Sequence, residues 1–138
     1  MSKAIRIHEH GGPDVLCWDE VDPGMPGAGQ ALIRQTAVGL NFIDVYHRTG
    51  LYPVPSRPAI IGNEGAGVVE AVGDDVSVVS VGDRVAYPMS LGSYAEQRVV
   101  DAARLVKLPD GITDQQAAAM MLKGCTVQYL LRRIYPVS

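Results

Sequence analysis

The sequence has no C-x-x-C pair, no G-K-[S/T] turn, no membrane-length apolar run and no basic stripe. Each absence removes a class of function. Cys17 and Cys125 stand far apart, which fits two reduced thiols in a reducing compartment better than a disulfide or a metal pair. Without G-K-[S/T] there is no Walker loop for a nucleotide triphosphate. The longest apolar stretches fall far short of the ~20 residues a spanning helix needs, so no membrane partner is expected. Met1–His10 lacks the hydrophobic centre of a signal peptide, which predicts a cytoplasmic chain. The 12 Lys and Arg are scattered and the net charge is −3, so nucleic acid is not an expected partner. Internal repeats and low-complexity tracts are missing too.

What is present describes an ordinary folded domain. The chain has 138 residues, 47% hydrophobic and 20% charged, enough to bury about two thirds of its unfolded surface in one unit. The first two thirds read as short strands: residues 4–7, 15–21, 30–38, 67–72, 84–87 and 94–100. Turn chemistry separates them, including G-G-P-D at 11–14 and the loop D-P-G-M-P-G-A-G at 22–29. Strands spaced about ten residues apart suggest an all-β barrel or sandwich. The end of the chain differs. Thr113 and Gln116 make a capping box for a helix over 114–123, rich in strong helix formers. Gly124 is expected to interrupt it. Val127, Leu130, Leu131 and Ile134 then form one apolar stripe on a second helix.

The stretch I-I-G-N-E-G-A-G at 60–67 has the look of a phosphate loop. A dinucleotide fingerprint, however, needs G-x-G-x-x-G leaving a strand and opening a helix. Here position 70 is Glu, and V-V-E-A-V continues as a strand. Glycines that permit close packing between two strands explain the segment better.

Gly62-Asn63-Glu64, taken with V-G-L-N-F-I-D at 38–44, resembles the medium-chain dehydrogenase/reductase superfamily. Zinc-dependent alcohol dehydrogenases of that superfamily carry G-x-C-x-x-D in the first segment and G-H-E in the second. This chain has Asn41 in place of the Cys and Asn63 in place of the His. An amide is a poor Zn²⁺ ligand beside thiolate and imidazole, so the resemblance is to a metal-free branch with no zinc and no metal ligands. Within it the chain is similar to the zeta-crystallin-like NADPH:quinone oxidoreductases. The fragments carrying that likeness are H-G-G-P-D-V-L at 10–16, N-F-I-D-V-Y at 41–46, R-T-G-L-Y-P at 48–53, G-N-E-G-A-G-V-V at 62–69, V-G-D-R-V at 81–85 and K-G-C-T-V-Q-Y-L-L-R at 123–132.

The resemblance implies a mainly β, α+β fold: a GroES-like, partly open β-barrel over residues 1–123. Residues 124–138 would be a linking helix toward a Rossmann domain beginning just beyond Ser138. It implies NADPH as cofactor, a quinone or similar conjugated carbonyl as small-molecule partner, and a homodimer for the full-length enzyme. Asn41, Phe42, Ile43, Asp44 and Tyr46 would line the cleft at the nicotinamide end. Asn41, Asp44, Tyr46 and Tyr52 are the candidate catalytic residues, with Tyr52 bordering the acceptor pocket. Lys123 would pair with a cofactor hydroxyl and Thr126 would touch the nicotinamide. Glu64 loses the zinc-related role it has in metal-containing relatives.

The residues themselves leave plainer roles open. Asn41-x-x-Asp44 reads as a helix N-cap with an acidic first turn, and Gly50 ends that helix. Lys123 could serve a helix C-terminus and Thr126 a helix N-cap. A tyrosine is commonly an amphipathic core-edge residue; its phenol could also hydrogen-bond a quinone oxygen as hydride arrives. His8, His10 and His47 have no ligand spacing and read as surface or strand-edge residues. The isolated chain is expected to turn over little or not at all, and to self-associate through the Val127–Ile134 stripe. Two alternatives stand beside this reading: an enone or enoyl-thioester reductase on the same fold, and a GroES-like assembly or co-chaperone module.

Overall fold

The computed structural model describes residues 1–135. Its strands are β1 (Ser2–Ile7), β2 (Leu16–Val21), β3 (Gln30–Gly39), β4 (Ala59–Ile60), β5 (Glu64–Val72), β6 (Arg84–Tyr87), β7 (Gln97–Asp101) and β8 (Val106–Lys107). Two α-helices, α1 (Phe42–Thr49) and α2 (Asp114–Tyr129), punctuate them, and a π-helical turn over Leu130–Ile134 follows α2. The described chain is therefore mostly sheet with two helices, the architecture expected of a GroES-like domain.

Every ladder is antiparallel. A three-stranded sheet runs β2-β1-β4 and a five-stranded sheet runs β7-β3-β5-β6-β8. The segment before β7 stitches the two together: Ile5 N donates to Tyr94 O at 2.7 Å and Glu96 N to Lys3 O at 2.8 Å. Alternation puts Ala31 and Ile33 of β3 inside with Val69, Val85, Tyr87 and Val100, as a half-buried sheet requires.

The glycines of 62–67 do what close packing between strands asks. Gly67 sits inside β5 opposite Gln35 of β3, and a Cβ placed there would fall 2.3 Å from the Arg34 carbonyl oxygen. Small residues serve the helix in the same way: Ala117 and Ala118 of α2 bury against Ala66 and Ala86 of the sheet. The Thr113–Gln116 capping box is present, with Gln116 N donating to Thr113 Oγ1 at 3.2 Å and Thr113 N to Gln116 Oε1 at 3.0 Å.

Three expectations need correction. Gly124 does not interrupt α2, which runs unbroken from Asp114 to Tyr129. An internal glycine costs a helix about 1 kcal/mol, and the alanine- and methionine-rich turns before it, packed on the sheet, outweigh that. The apolar stripe is consequently not on a separate helix. Val127 belongs to α2, Leu130, Leu131 and Ile134 belong to the π-helical turn, and all four are exposed. The strand drawn over 94–100 begins at Gln97, because Tyr94 and Ala95 are committed to the inter-sheet stitch and the site below. The end of the proposed linking segment, residues 136–138, lies outside the described residues.

Candidate functional site

The site forms where one strand ladder ends. Gly39, the last residue of β3, pairs with Glu64, the first of β5, and the chain leaves Gly39 to start α1 three residues later. Asn41 is the N-cap of that helix in an extended conformation, and Gly50 closes it in the left-handed region at φ 84°. Asn41 N donates to Asp44 Oδ2 at 2.9 Å, so the first turn folds a carboxylate back over its own start. The N-cap reading of Asn41 and Asp44 therefore holds.

Asp44 is buried, at 1% exposure, and satisfied by three donors. Besides Asn41 N they are Asn63 Nδ2 at 2.8 Å and the Tyr94 phenol at 2.7 Å. Asn63 and Tyr94 are brought there by the chain crossing at 61–63 and 90–94, where Tyr94 N donates to Ile61 O and Ser90 N to Asn63 O. A carboxylate in so dry a place is tolerable only with such a complement. Its presence also acts on Tyr94. Burial first, then the hydrogen bond to Asp44 and the negative charges of Asp44 and Glu64, push the Tyr94 phenol well above its ordinary value.

Glu64 is the second buried carboxylate, at 0% exposure. It accepts from Asn41 Nδ2 at 2.7 Å, Leu122 N at 2.7 Å and Lys123 Nζ at 3.2 Å. Lys123 Nζ also donates to Asn41 Oδ1 at 2.8 Å. Asn41 thus bridges the two acids, by its backbone to Asp44 and by its side chain to Glu64. Gly39 makes room for this: a Cβ there would fall 2.3 Å from the Ala118 carbonyl oxygen and 2.4 Å from Glu64 Oε1.

Beside this polar knot runs an aromatic strip. Phe42 and Tyr46 share a face of α1 with ring centroids 6.5 Å apart, and Tyr46 meets Tyr52 edge-on at 5.2 Å. Tyr52 N donates to Tyr46 O at 3.1 Å, which fixes the loop against the helix. Leu40 and Phe42 project into solvent. Ile43 is half-buried on α1.

The structure thus brings Asn41, Asp44 and Lys123 into one hydrogen-bonded cluster, and Phe42, Tyr46 and Tyr52 into one strip. Thr126 lies three residues beyond Lys123 on α2 and donates its hydroxyl to Leu122 O at 2.9 Å, so it is not a helix N-cap. Lys123 is mid-helix, not at a C-terminus. His8 is exposed and bonds Asp19 at 2.8 Å, while His47 Nδ1 is buried without a partner among the described residues. Sequence reasoning missed Glu64 as an organiser, Asn63 as a donor to Asp44, and Tyr94 altogether. A charge inside G-N-E-G-A-G-V-V was a usable signal for Glu64; Tyr94 carried none, since its role depends on a chain crossing. Among the described residues, no three His, Cys, Asp or Glu side chains are grouped to hold a metal ion.

Residues 27–110 match the alcohol dehydrogenase GroES-like domain family. The chain is 53% identical over 136 residues to a quinone oxidoreductase of Pseudomonas aeruginosa, covering 98% of this chain and 42% of the relative. It is 44% identical over 144 residues to a 2-haloacrylate reductase of a Burkholderia species, covering 100% of this chain and 43% of the relative. Among solved structures, the quinone oxidoreductase of Pseudomonas syringae pv. tomato DC3000 superposes with a TM-score of 0.97 at 54% identity, over 100% of this chain and 43% of that one. The Escherichia coli quinone oxidoreductase in complex with NADPH superposes with a TM-score of 0.96 at 44% identity, over 99% and 42%. The chain spans well under half the length of these proteins.

Proposed function

Because this chain belongs to the alcohol dehydrogenase GroES-like domain family, we propose that it is the catalytic half of an NADPH-dependent quinone oxidoreductase that works without a metal. The observation that carries the reading is the cluster joining Asn41, Asp44 and Lys123 next to the Phe42–Tyr46–Tyr52 strip. A polar, directional group sits beside a flat apolar surface, which is what a nicotinamide and a planar acceptor together demand. The residues present fit the cofactor's nicotinamide end. Lys123 has one N–H left after Asn41 and Glu64 are served, and its side chain is 57% exposed. Thr126 keeps its oxygen lone pairs free while its proton is held by Leu122 O.

Hydride donation is the chemistry the nicotinamide supplies when bound. The chain's own share is orientation. Asn41, Lys123 and Thr126 offer hydrogen bonds to the carboxamide or ribose, while Phe42 and Ile43 cover a ring face. Tyr46 and Tyr52 present phenols that hydrogen-bond a quinone oxygen and position it; solvent delivers the proton. Holding two reactants in one geometry removes a substantial part of the barrier to such a reaction. The metal-free reading rests on the two amides. Asn41 and Asn63 both point Nδ2 at carboxylates, so each presents a donor where a zinc ligand would need a lone pair.

We take the linking role of residues 124–138, toward a cofactor-binding domain, as part of the same proposal. The likeness to a 2-haloacrylate reductase favours a second reading, in which the acceptor is a conjugated acid or enone. The deciding experiment joins this chain to the remaining portion of the Pseudomonas aeruginosa relative and compares NADPH oxidation with 1,4-benzoquinone and with 2-chloroacrylate. Faster turnover with the quinone is expected. Turnover with 2-chloroacrylate alone would move the assignment to the second reading.

A further inference from the structure

Glu64 is not assigned any step above, although three elements converge on it. Its two oxygens face different neighbours. Oε1 accepts from Asn41 Nδ2 at 2.7 Å and from Lys123 Nζ at 3.2 Å, and Oε2 accepts from Leu122 N at 2.7 Å. Leu122 is in the middle of α2, where a backbone N–H ordinarily donates to the carbonyl four residues earlier, here Ala118. A carboxylate reaching into the middle of a helix needs room, and the absent side chain of Gly39 supplies it. The start of helix α1, strand β5 and helix α2 are therefore tied at one buried side chain.

The consequence is directional. An asparagine amide can face either way, but here its Nδ2 meets a carboxylate and its Oδ1 meets an ammonium. Turning it over would set oxygen against oxygen and nitrogen against ammonium. Lys123 is fixed in the same way, since two of its three N–H bonds go to Asn41 Oδ1 and Glu64 Oε1. The third is left for an acceptor outside the protein.

We infer that Glu64 is a positioning residue for the nicotinamide end of the cofactor: it locks the orientation of the Asn41 amide and leaves the spare N–H of Lys123 on the exposed face of that cluster. The inference rests on the cofactor reading above. Glu64 touches neither reactant and acts through Asn41 and Lys123.

Glu64→Gln separates this from a purely structural tie between strand and helix. The glutamine retains an oxygen for Leu122 N but turns a donor toward Asn41. Nuclear magnetic resonance of the ¹⁵N-labelled chain should then show a shifted Asn41 side-chain amide with the Leu122 amide little moved. In the chain joined to the remainder of its Pseudomonas aeruginosa relative, the NADPH concentration giving half-saturation should rise at least about tenfold, the low end for losing a hydrogen bond to a charged group. Lys123→Met should raise it similarly, and the double variant should be no worse than the worse single one. An unmoved Asn41 amide in Glu64→Gln, or effects of the two substitutions that multiply, would overturn the inference. Should Glu64→Gln give no dispersed spectrum, Lys123→Met decides: the Asn41 amide should stay in the protected signal of its bond to Glu64, and loss of that protection would contradict the lock. If the chain joined to the remainder of its Pseudomonas aeruginosa relative does not bind NADPH, the functional reading fails, and the Asn41 amide measurement still decides the lock.

Discussion

The residues with most to lose are the two buried acids. Asp44 has three donors and no solvent, so Asp44→Ala leaves Asn63 and Tyr94 with unpaired polar groups in a dry place. Each such group costs about 1–3 kcal/mol, and urea denaturation should register a loss of at least about 2 kcal/mol. Asp44→Ala with unchanged stability would mean that the cluster is looser than its distances indicate. Tyr94 gives a second readout at this scale. Burial and the neighbouring carboxylates raise its phenol, and burial also raises Tyr87 despite the Arg98 guanidinium beside it. A phenol raised in the folded state stabilises the fold fully below its ordinary value near 10 and loses that contribution as pH climbs toward the raised one. Absorbance titration of the six tyrosines should therefore show a late group that ionises only with unfolding, and Tyr94→Phe should shrink it. The roles of Asn41 and Asp44 were legible because a capping pattern lies within four consecutive positions. Those of Asn63 and Tyr94 were not, since they depend on two loops crossing far apart in sequence.

At the scale of elements, α2 is the instructive case. Its start was readable from Thr113 and Gln116, because a capping box is local chemistry. Its continuation through Gly124 was not, because packing of Ala117 and Ala118 on the sheet outweighs the propensity of one glycine. A Cβ at Gly124 would meet only Met120 Cε, at 4.0 Å, so Gly124→Ala should stabilise the protein by about 0.5–1 kcal/mol. A higher Tm by calorimetry is the expected sign; a lower one would show that the position needs glycine for another reason. The N-terminus of the same helix predicts an acid response. Asp114 accepts from Thr36 Oγ1 at 2.6 Å and from Arg84 Nε at 3.0 Å and Nη2 at 2.7 Å. The Thr36 hydrogen bond first, and then Arg84, hold its carboxyl below the usual carboxylate range. A depressed value means that the contribution is complete above about pH 4 and is lost as pH falls through the lowered value. Asp114→Asn should flatten the stability profile in that acidic window and leave its neutral limb parallel to that of the unaltered protein. At the far end of α2, Val127, Leu130, Leu131 and Ile134 are about half exposed. Such a patch favours association, so sedimentation should show concentration-dependent assembly that Leu130→Glu with Leu131→Glu abolishes.

For the molecule as a whole, short strands at regular spacing gave a β-rich barrel or sandwich, and the mostly-sheet character was recoverable from them. The pairing β7-β3-β5-β6-β8 was not, because strand order is decided by contacts between distant segments. The two-residue strands β4 and β8 gave no periodic signal at all. What unites the scales is a single claim. Glu64 and Asp44, buried and bonded by the Asn41 and Asn63 amides, set Lys123 beside an aromatic strip, and the function proposed above has that face serve hydride transfer without a Lewis acid. The direct test is NADPH oxidation with 1,4-benzoquinone by the chain joined to the remainder of its Pseudomonas aeruginosa relative, after exhaustive treatment with a strong chelator. The account predicts turnover equal before and after chelation, and none from the 138-residue chain by itself. Activity that disappears with the chelator and returns with added zinc would contradict it.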